Sequence, residues 1–367
     1  MGHILSCFLD ANRGDGANTK FNRRHSVSDS AASFGCQDGP KQVGKGQCGT
    51  VWALMDLVLK ASNEVRRDQL WRDSCNHRRA EGAVQQAPWE FRPDINIPRW
   101  ISLVQPSDGT FWSEFGGWFP QDFQPTCGVL STRVHGLPAH VREAIVDLFA
   151  PESIKAIKTD FLASPENQDC LIRLYLGRRA ERSAFSAAFR LRDFELKVNE
   201  MEFLQLDTST WARAMAQTLA VLHWRAQIDA NGVEFVLGKT PHVEAEQTAI
   251  RLESRSCNLA NVSNIIRFEC HRRTIGIWLL DFNQCRTFSE SPAGVRQLQR
   301  AFYLSDPYYP SPVSTHPNDM TLWDTFKAAY LETSASLTES EMPELFIEAV
   351  EEEGQRRGAE GSLQQSW

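Results

Sequence analysis

Residues 43–54, Val-Gly-Lys-Gly-Gln-Cys-Gly-Thr-Val-Trp-Ala-Leu, constrain the fold more than any other stretch of the chain. Gly44, Gly46 and Gly49 precede Val51 in the pattern G-x-G-x-x-G-x-V. The apolar flanks predict two antiparallel strands, and the glycines predict a connection free of side chains. Such backbone can fold over phosphate groups and turn its N–H groups toward them. With Gly and Val each about 6 to 7% of residues, a chance match in a chain of this length has a probability of about half a percent. A glycine-rich hairpin that holds no ligand is the plain alternative.

The segments after the hairpin add weight to the binding reading. Leu57-Val58-Leu59-Lys60 predicts a short strand ending in a lysine. Leu70, Trp71, Cys75 and Ala80 predict a helix that carries Glu81 as the partner of Lys60. Residues 127–134 predict another strand, leading into the hinge-like His135-Gly136-Leu137-Pro138. Trp211, Met215, Leu219 and Leu222 lie at helical spacing, with Thr208 or Ser209 as the cap. Asp229 and Glu234 come next, five residues apart, ahead of the apolar Phe235-Val236-Leu237. A further apolar strand, 275–280, ends in Asp281-Phe282-Asn283.

Taken in order, glycine loop, lysine, helix glutamate, aspartate loop and Asp-Phe-x resemble the protein-kinase-like fold over about residues 40–335. The resemblance implies an α+β, bilobal molecule with a small β-rich N-lobe (40–138) and a larger, mainly helical C-lobe (139–353). It implies ATP and Mg²⁺ as cofactors. Gly44, Gly46 and Gly49 would cover phosphates, and Lys60 would pair with them and with Glu81. Asp229 would orient an acceptor hydroxyl, and Glu234 with Asp281 would hold the metal.

The chain also departs from that pattern. Gln227-Ile228-Asp229 stands where the resemblance calls for His-Arg-Asp, and Asn231 replaces a lysine two residues later. Glu234 replaces an asparagine; it can ligate a hard cation but adds negative charge. Asn283 replaces a glycine, tolerable in a left-handed conformation. No Ala-Pro-Glu-like anchor comes after it, so protein substrates are disfavoured. The remaining readings are a nucleotide pocket with degenerate or small-molecule-directed phosphotransfer, and a non-catalytic interaction or regulatory protein that keeps the shape.

Longer strings point to a second resemblance. Residues 46–52, 220–231, 233–238 and 278–285, together with Asp306-Pro307-Tyr308-Tyr309-Pro310, are similar to an uncharacterised fungal domain family loosely labelled "zinc finger protein". This likeness implies a fungal source and no established activity. The cysteines argue against its label. Nine are scattered through the chain with no Cys-x-x-Cys, and no His-x-x-x-His accompanies them, so no zinc is expected. They are read as reduced, since no secretory segment leads to an oxidising compartment.

The ends read differently from the middle. Residues 1–39, rich in Gly, Ser, Asn and Arg, are expected to form a disordered arm. Its start, Met-Gly-His-Ile-Leu-Ser, fits N-myristoylation at Gly2, and Cys7 offers a second acylation site. The expectation is a cytoplasmic protein with two readings of this arm: membrane association through acylation, aided by Lys20, Arg23 and Arg24 and opposed by phosphorylation of Ser26, or an ordinary tail in which the short pattern arises by chance. The formal charge of −7, concentrated in acid near 339–353, disfavours nucleic acid as a partner. A protein partner would meet that acidic region or the solvated insertion read at 239–270. Arg178, Arg179 and Arg182 read as a surface basic cluster. Trp112, Phe115, Trp118, Phe119 and Phe123 read as packing beneath a long hairpin, since no Lys or Arg interleaves them. Two C-terminal helices are expected, with Leu322, Trp323, Phe326, Ala329 and Tyr330 inward on the first. On the second, opened by Pro343, Leu345, Phe346, Ala349 and Val350 face inward, and a polar, disordered tail is expected over 354–367.

Overall fold

Strand alternation divides the first sheet into two working faces. In the computed structural model, which describes residues 41–46, 49–63, 67–180, 189–240, 259–305 and 307–364, β1 (Lys41–Gly46), β2 (Gly49–Leu54), β3 (Leu57–Ser62), β4 (Trp100–Val104) and β5 (Gly128–Thr132) form an antiparallel sheet. Its order is β1-β2-β3-β5-β4. Successive residues point to opposite faces of a strand. Leu54, Leu59, Ala61 and Leu130 therefore share one face, packed against Phe111 and Phe119. Val51, Val58, Lys60 and Val129 share the other, which lines a cavity. The aromatic stretch is packing, as expected: Trp52 meets Phe119 and Phe123 edge-on, at ring separations of 5.6 and 5.5 Å.

Helix α1 (Arg67–Gln85) follows β3, and α2 (Gly109–Phe115) carries part of the aromatic cluster. After β5 the chain enters α3 (Ala139–Phe149), α4 (Glu152–Lys155) and α5 (Lys158–Ala163). Residues 135–138 make this link and are pinned rather than loose. Gly136 N–H donates to Asp169, and Leu137 N–H donates to the Cys170 carbonyl.

The second sheet comprises β6 (Ile172–Tyr175), β7 (Phe194–Lys197), β8 (Glu234–Lys239) and β9 (Ile275–Leu280), in the order β7-β6-β8-β9. Only β6 and β7 among these run parallel. Around it lie α6 (Val198–Phe203), α7 (Thr208–Trp224), α8 (Leu259–His271), α9 (Pro292–Leu304), α10 (Pro317–Ala335) and α11 (Met342–Gln364). The fold is thus α+β, strand-rich early and helical late, and both sheets belong to one compact unit, Pro40–Trp367. Two isolated bridges cross between the sequence halves, Asn96 with Trp278 and His135 with Lys239.

Several local expectations change. The cap of α7 is Asp207, whose carboxylate accepts from Thr210 N–H, because a carboxylate one residue earlier reaches that donor better than Thr208 or Ser209 could. Part of the 239–270 insertion is helix α8, which buries Val262 and Ile266 against the core. Helix α11 continues to Gln364, past the boundary at 353. Gly354 lets that helix pack closely, since a Cβ there would lie 2.9 Å from Tyr303 Oη and Pro312, and Arg357 stacks over Tyr303. Leu345 faces solvent, at 46% exposure, while Ile347 takes an inward place beside Phe346 and Val350. Residues 1–40, with Gly2, Cys7 and Ser26, lie outside the described residues, as do 181–188 with Arg182, 241–258 and Asp306. No helix among the described residues is long and apolar enough to cross a membrane.

Candidate functional site

A cavity of about 550 Å³ lies between the glycine hairpin and the ends of the second sheet. Its size falls within the usual range for small-molecule sites. Gly44 and Gly46 lie along one side, with Val51, Val58 and Val129; Leu171, Leu280 and Asp281 lie along another. The lining thus mixes apolar with charged side chains, and Lys60, Asp73 and Asp281 cluster at one end.

That end is organised by Lys60. Its position on the cavity face of β3 follows from the alternation above, and its ammonium donates to Asp73 Oδ2 at 2.7 Å and to Asp281 Oδ1 at 2.8 Å. Burial alone would favour neutral lysine, but Asp73 and Asp281 override it and raise its pKa above the ordinary value. Helix α1 holds the other side of the arrangement. Asp73, Asn76 and His77, at i, i+3 and i+4, share one helix face. Asp73 Oδ1 accepts from Phe282 N–H at 3.0 Å, and Asn76 Nδ2 donates to the carbonyls of Phe282 and Cys285. His77 stacks on Phe282 at 5.3 Å and donates from Nε2 to the Pro98 carbonyl; burial keeps it below the usual imidazole range. The helix therefore grips the 281–285 turn by its backbone, holding Asp281 at a left-handed φ of 61°. The left-handed residue of this turn is Asp281 and not Asn283, which lies buried and outside that region.

The structure relocates several predicted roles. Lys60 meets Asp73 and not Glu81. Glu81 sits farther along α1, where Oε2 accepts from Trp100 N–H and Oε1 from Gln85. Gly44 and Gly46 line the cavity, but Gly49 does not; its need for glycine is steric, since a Cβ would fall 1.9 Å from the Ala61 carbonyl oxygen. Glu234 lies in the cavity with Asp281 and is held by Arg173 at 2.6 Å, so its carboxylate is neutralised before any metal arrives. Asp229 is not at the cavity. It is buried, Oδ1 accepting from Asn231 and Arg286 N–H and Oδ2 from Gln297 Nε2 at 2.7 Å. The turn that carries it passes through left-handed Gln227, Ala230 and Gly232, which aims the side chain inward.

Residues that the sequence did not single out complete the wall. Arg173, Asp169, Arg192 and Asp193 all line the cavity. Asp169 pairs with Arg133 at 2.5 Å as well as capping Gly136. Of the nearby arginines, Arg179 serves structure, gripping Glu202 and Asp319 together and so tying α6 to α10. Tyr308 and Tyr309 are buried; the carbonyls of Pro307 and Tyr308 accept from Gly177 and Leu176 N–H. Gly177 is required there, because a Cβ would lie 2.3 Å from the Tyr309 oxygen.

Among the described residues no group of three or more His, Cys, Asp or Glu side chains is placed to hold a metal. Mg²⁺ does not need one, because one or two carboxylates suffice when phosphate oxygens and water supply the rest. Asp281 meets that requirement, with one carboxylate oxygen on Lys60 and its side chain 31% exposed.

Residues 277–342 match the model of a domain family of unknown function described as "Zinc finger protein". This span takes in most of β9, the 281–285 turn, α9 and α10, and it contains a single cysteine, Cys285, and a single histidine, His316. Cys285 is fully buried, and burial pushes its thiol well above the ordinary value. No curated protein matches the chain.

Proposed function

We propose that the chain is a nucleotide-binding protein of bilobal, kinase-like build whose phosphotransfer machinery is incomplete. One observation carries the reading: the ion pair between Lys60 on β3 and Asp281 after β9, at the end of a cavity that has valine and leucine on its walls and is flanked by Gly44 and Gly46. The valine and leucine walls suit a flat base, and the hairpin backbone suits phosphate. Val51, Val58, Val129 and Leu280 would enclose the base, with Lys60 toward the phosphates.

Charge makes the reading more specific. The cavity lining carries Lys45, Lys60, Arg173 and Arg192 against Asp73, Asp169, Asp193, Glu234 and Asp281, and Arg133, which pairs with Asp169, brings the two signs level. An anionic nucleotide entering alone would meet no net positive charge. A divalent cation on Asp281 would make the site net positive and neutralise phosphate charge, so binding should require Mg²⁺. Asp229, fully engaged away from the cavity, leaves no carboxylate at the expected place to orient an acceptor hydroxyl. That sequestration favours a binding or regulatory protein over a working transferase, and we assign no zinc.

Thermal unfolding with ATP, in the presence and absence of Mg²⁺, tests the reading on wild type, Lys60→Ala and Asp281→Ala. A ligand at a hundred times Kd stabilises by about 2.7 kcal/mol. The expectation is a Mg²⁺-dependent shift in wild type that either substitution removes. No shift in wild type, or the same shift in all three, refutes it.

A further inference from the structure

The β1–β2 ladder slips register between Gln42 and Gly44. Val43 is therefore the extra residue of a bulge, on a strand that is also the edge of its sheet. A bulge releases backbone groups from the ladder, and an edge strand has no second neighbour to take them up. The Val43 carbonyl finds its partner elsewhere. Arg192, just ahead of β7 and 149 residues away in sequence, donates to it from Nη1. The same guanidinium donates from Nε to the Glu166 carbonyl at 3.3 Å. Val43 and Arg192 both line the cavity.

We propose that Arg192 is a positioning residue that latches the glycine hairpin over the cavity and thereby sets how slowly a bound nucleotide leaves. The latch itself rests on the geometry alone; its effect on residence time rests on the nucleotide reading. An arginine suits the task because its planar fork can hold two carbonyls at once, whereas a lysine offers one point charge. The partner is main chain, so the Val43 side chain has no part in it. Arg192 anchors the hairpin to the 166–192 region, and that link must open for a ligand trapped beneath the glycines to escape. Loss of one charge-assisted hydrogen bond worth about 1.4 kcal/mol makes opening about tenfold more frequent.

The full chain is compared as wild type, Arg192→Ala, Arg192→Lys and Val43→Ala by two measurements. The first is hydrogen–deuterium exchange without ligand at Gly44 to Gly46 and Gly49 to Trp52. The second is stopped-flow displacement of N-methylanthraniloyl-ATP with Mg²⁺. Arg192→Ala is expected to exchange about tenfold faster in the hairpin and to release the nucleotide faster by a similar factor. Exchange in α7 and β9 should stay as in wild type, Arg192→Lys should be intermediate, and Val43→Ala, which keeps the main-chain acceptor, should match wild type in hairpin exchange. Hairpin exchange in Arg192→Ala equal to wild type overturns the latch. Faster exchange with unchanged release overturns the control of residence time. If wild type binds no nucleotide, the nucleotide reading and the residence-time claim fail, and exchange alone still decides the latch. Should Arg192→Ala fail to fold, Arg192→Gln takes its place in both measurements.

Discussion

Lys60 and Asp281, 221 residues apart in sequence, meet at 2.8 Å. One belongs to the third strand of the first sheet, and the other follows the last strand of the second. Asp73 completes the contact by placing one carboxylate oxygen on Lys60 and the other on Phe282 N–H. Three separate stretches of chain thus converge on one half-buried cation. All three side chains line the cavity.

Asp73, and not Glu81, is the helix carboxylate on which the site depends. Asp73→Asn keeps the acceptor for Phe282 N–H but leaves Lys60 with a single carboxylate. It should cost about 1.5–3 kcal/mol of stability, the range for hydrogen bonds to charged groups, and should reduce the ATP-dependent thermal shift. Glu81→Gln retains an acceptor for Trp100 N–H and should leave that shift intact. Urea unfolding and the nucleotide titration, run on both variants, decide the matter. A loss of the shift in Glu81→Gln alone would restore the residue expected from sequence.

The glycines of the hairpin should separate into two kinds. At Gly49 a methyl group would fall 1.9 Å from the Ala61 carbonyl oxygen, which forces β2 and β3 apart. Gly49→Ala should therefore destabilise by about 1–3 kcal/mol, as overpacking does. At Gly46 a Cβ meets nothing within 4 Å, so Gly46→Ala should leave the unfolding midpoint unchanged while weakening nucleotide binding. Equal midpoints for the two variants would refute the division.

Strands were the most legible part of this fold. The runs Leu57 to Lys60, Phe235 to Leu237 and 275–280 all fall within strands, because short apolar runs between turn residues have few other places to go. The partner of Lys60 was not legible. Which carboxylate of α1 reaches it depends on the rotation and starting point of the helix, and only the shared face of Asp73, Asn76 and His77 hints at the answer. Asp229 misled for another reason: its spacing from Glu234 says nothing about the left-handed Gln227 and Ala230 that turn it inward. Residues beyond 353 looked like a polar tail because the feature that anchors them, Gly354 against Tyr303 and Pro312, is a missing side chain.

His223 should make the protein acid-sensitive. Its ring is buried among Trp224, Phe288, Tyr330 and Phe346, with Nδ1 at 2.9 Å from Tyr330 Oη. Burial lowers its pKa from 6.5 to about 3, so it stays neutral in the folded protein. The unfolded chain takes up a proton first as the pH falls below 6.5, and stability is lost from there down toward pH 3. At about 1.4 kcal/mol per unit, the loss is about 2 kcal/mol by pH 5. His77, also lowered by burial, acts in the same direction. Urea unfolding between pH 7.5 and 5 should show a slope that His223→Gln flattens; identical slopes would remove the assignment.

Asp229 should matter for folding and not for ligand binding. Its Oδ1 accepts two backbone N–H groups, and its Oδ2 accepts from Gln297. Asp229→Asn preserves the first pair only by turning an amide donor toward the Gln297 amide, so two donors face each other in a buried place. A mismatch of this kind costs about 1–3 kcal/mol, and the expected result is a lower urea midpoint with an unchanged ATP-dependent shift. Adding Gln297→Glu supplies an acceptor and should recover part of the loss, although Thr287 then loses the donor it has in Gln297. A residue acting as a catalytic base would behave otherwise: its amide variant would keep the unfolding midpoint and lose turnover. Midpoints for Asp229→Asn equal to wild type would return Asp229 to the groups that act on a substrate.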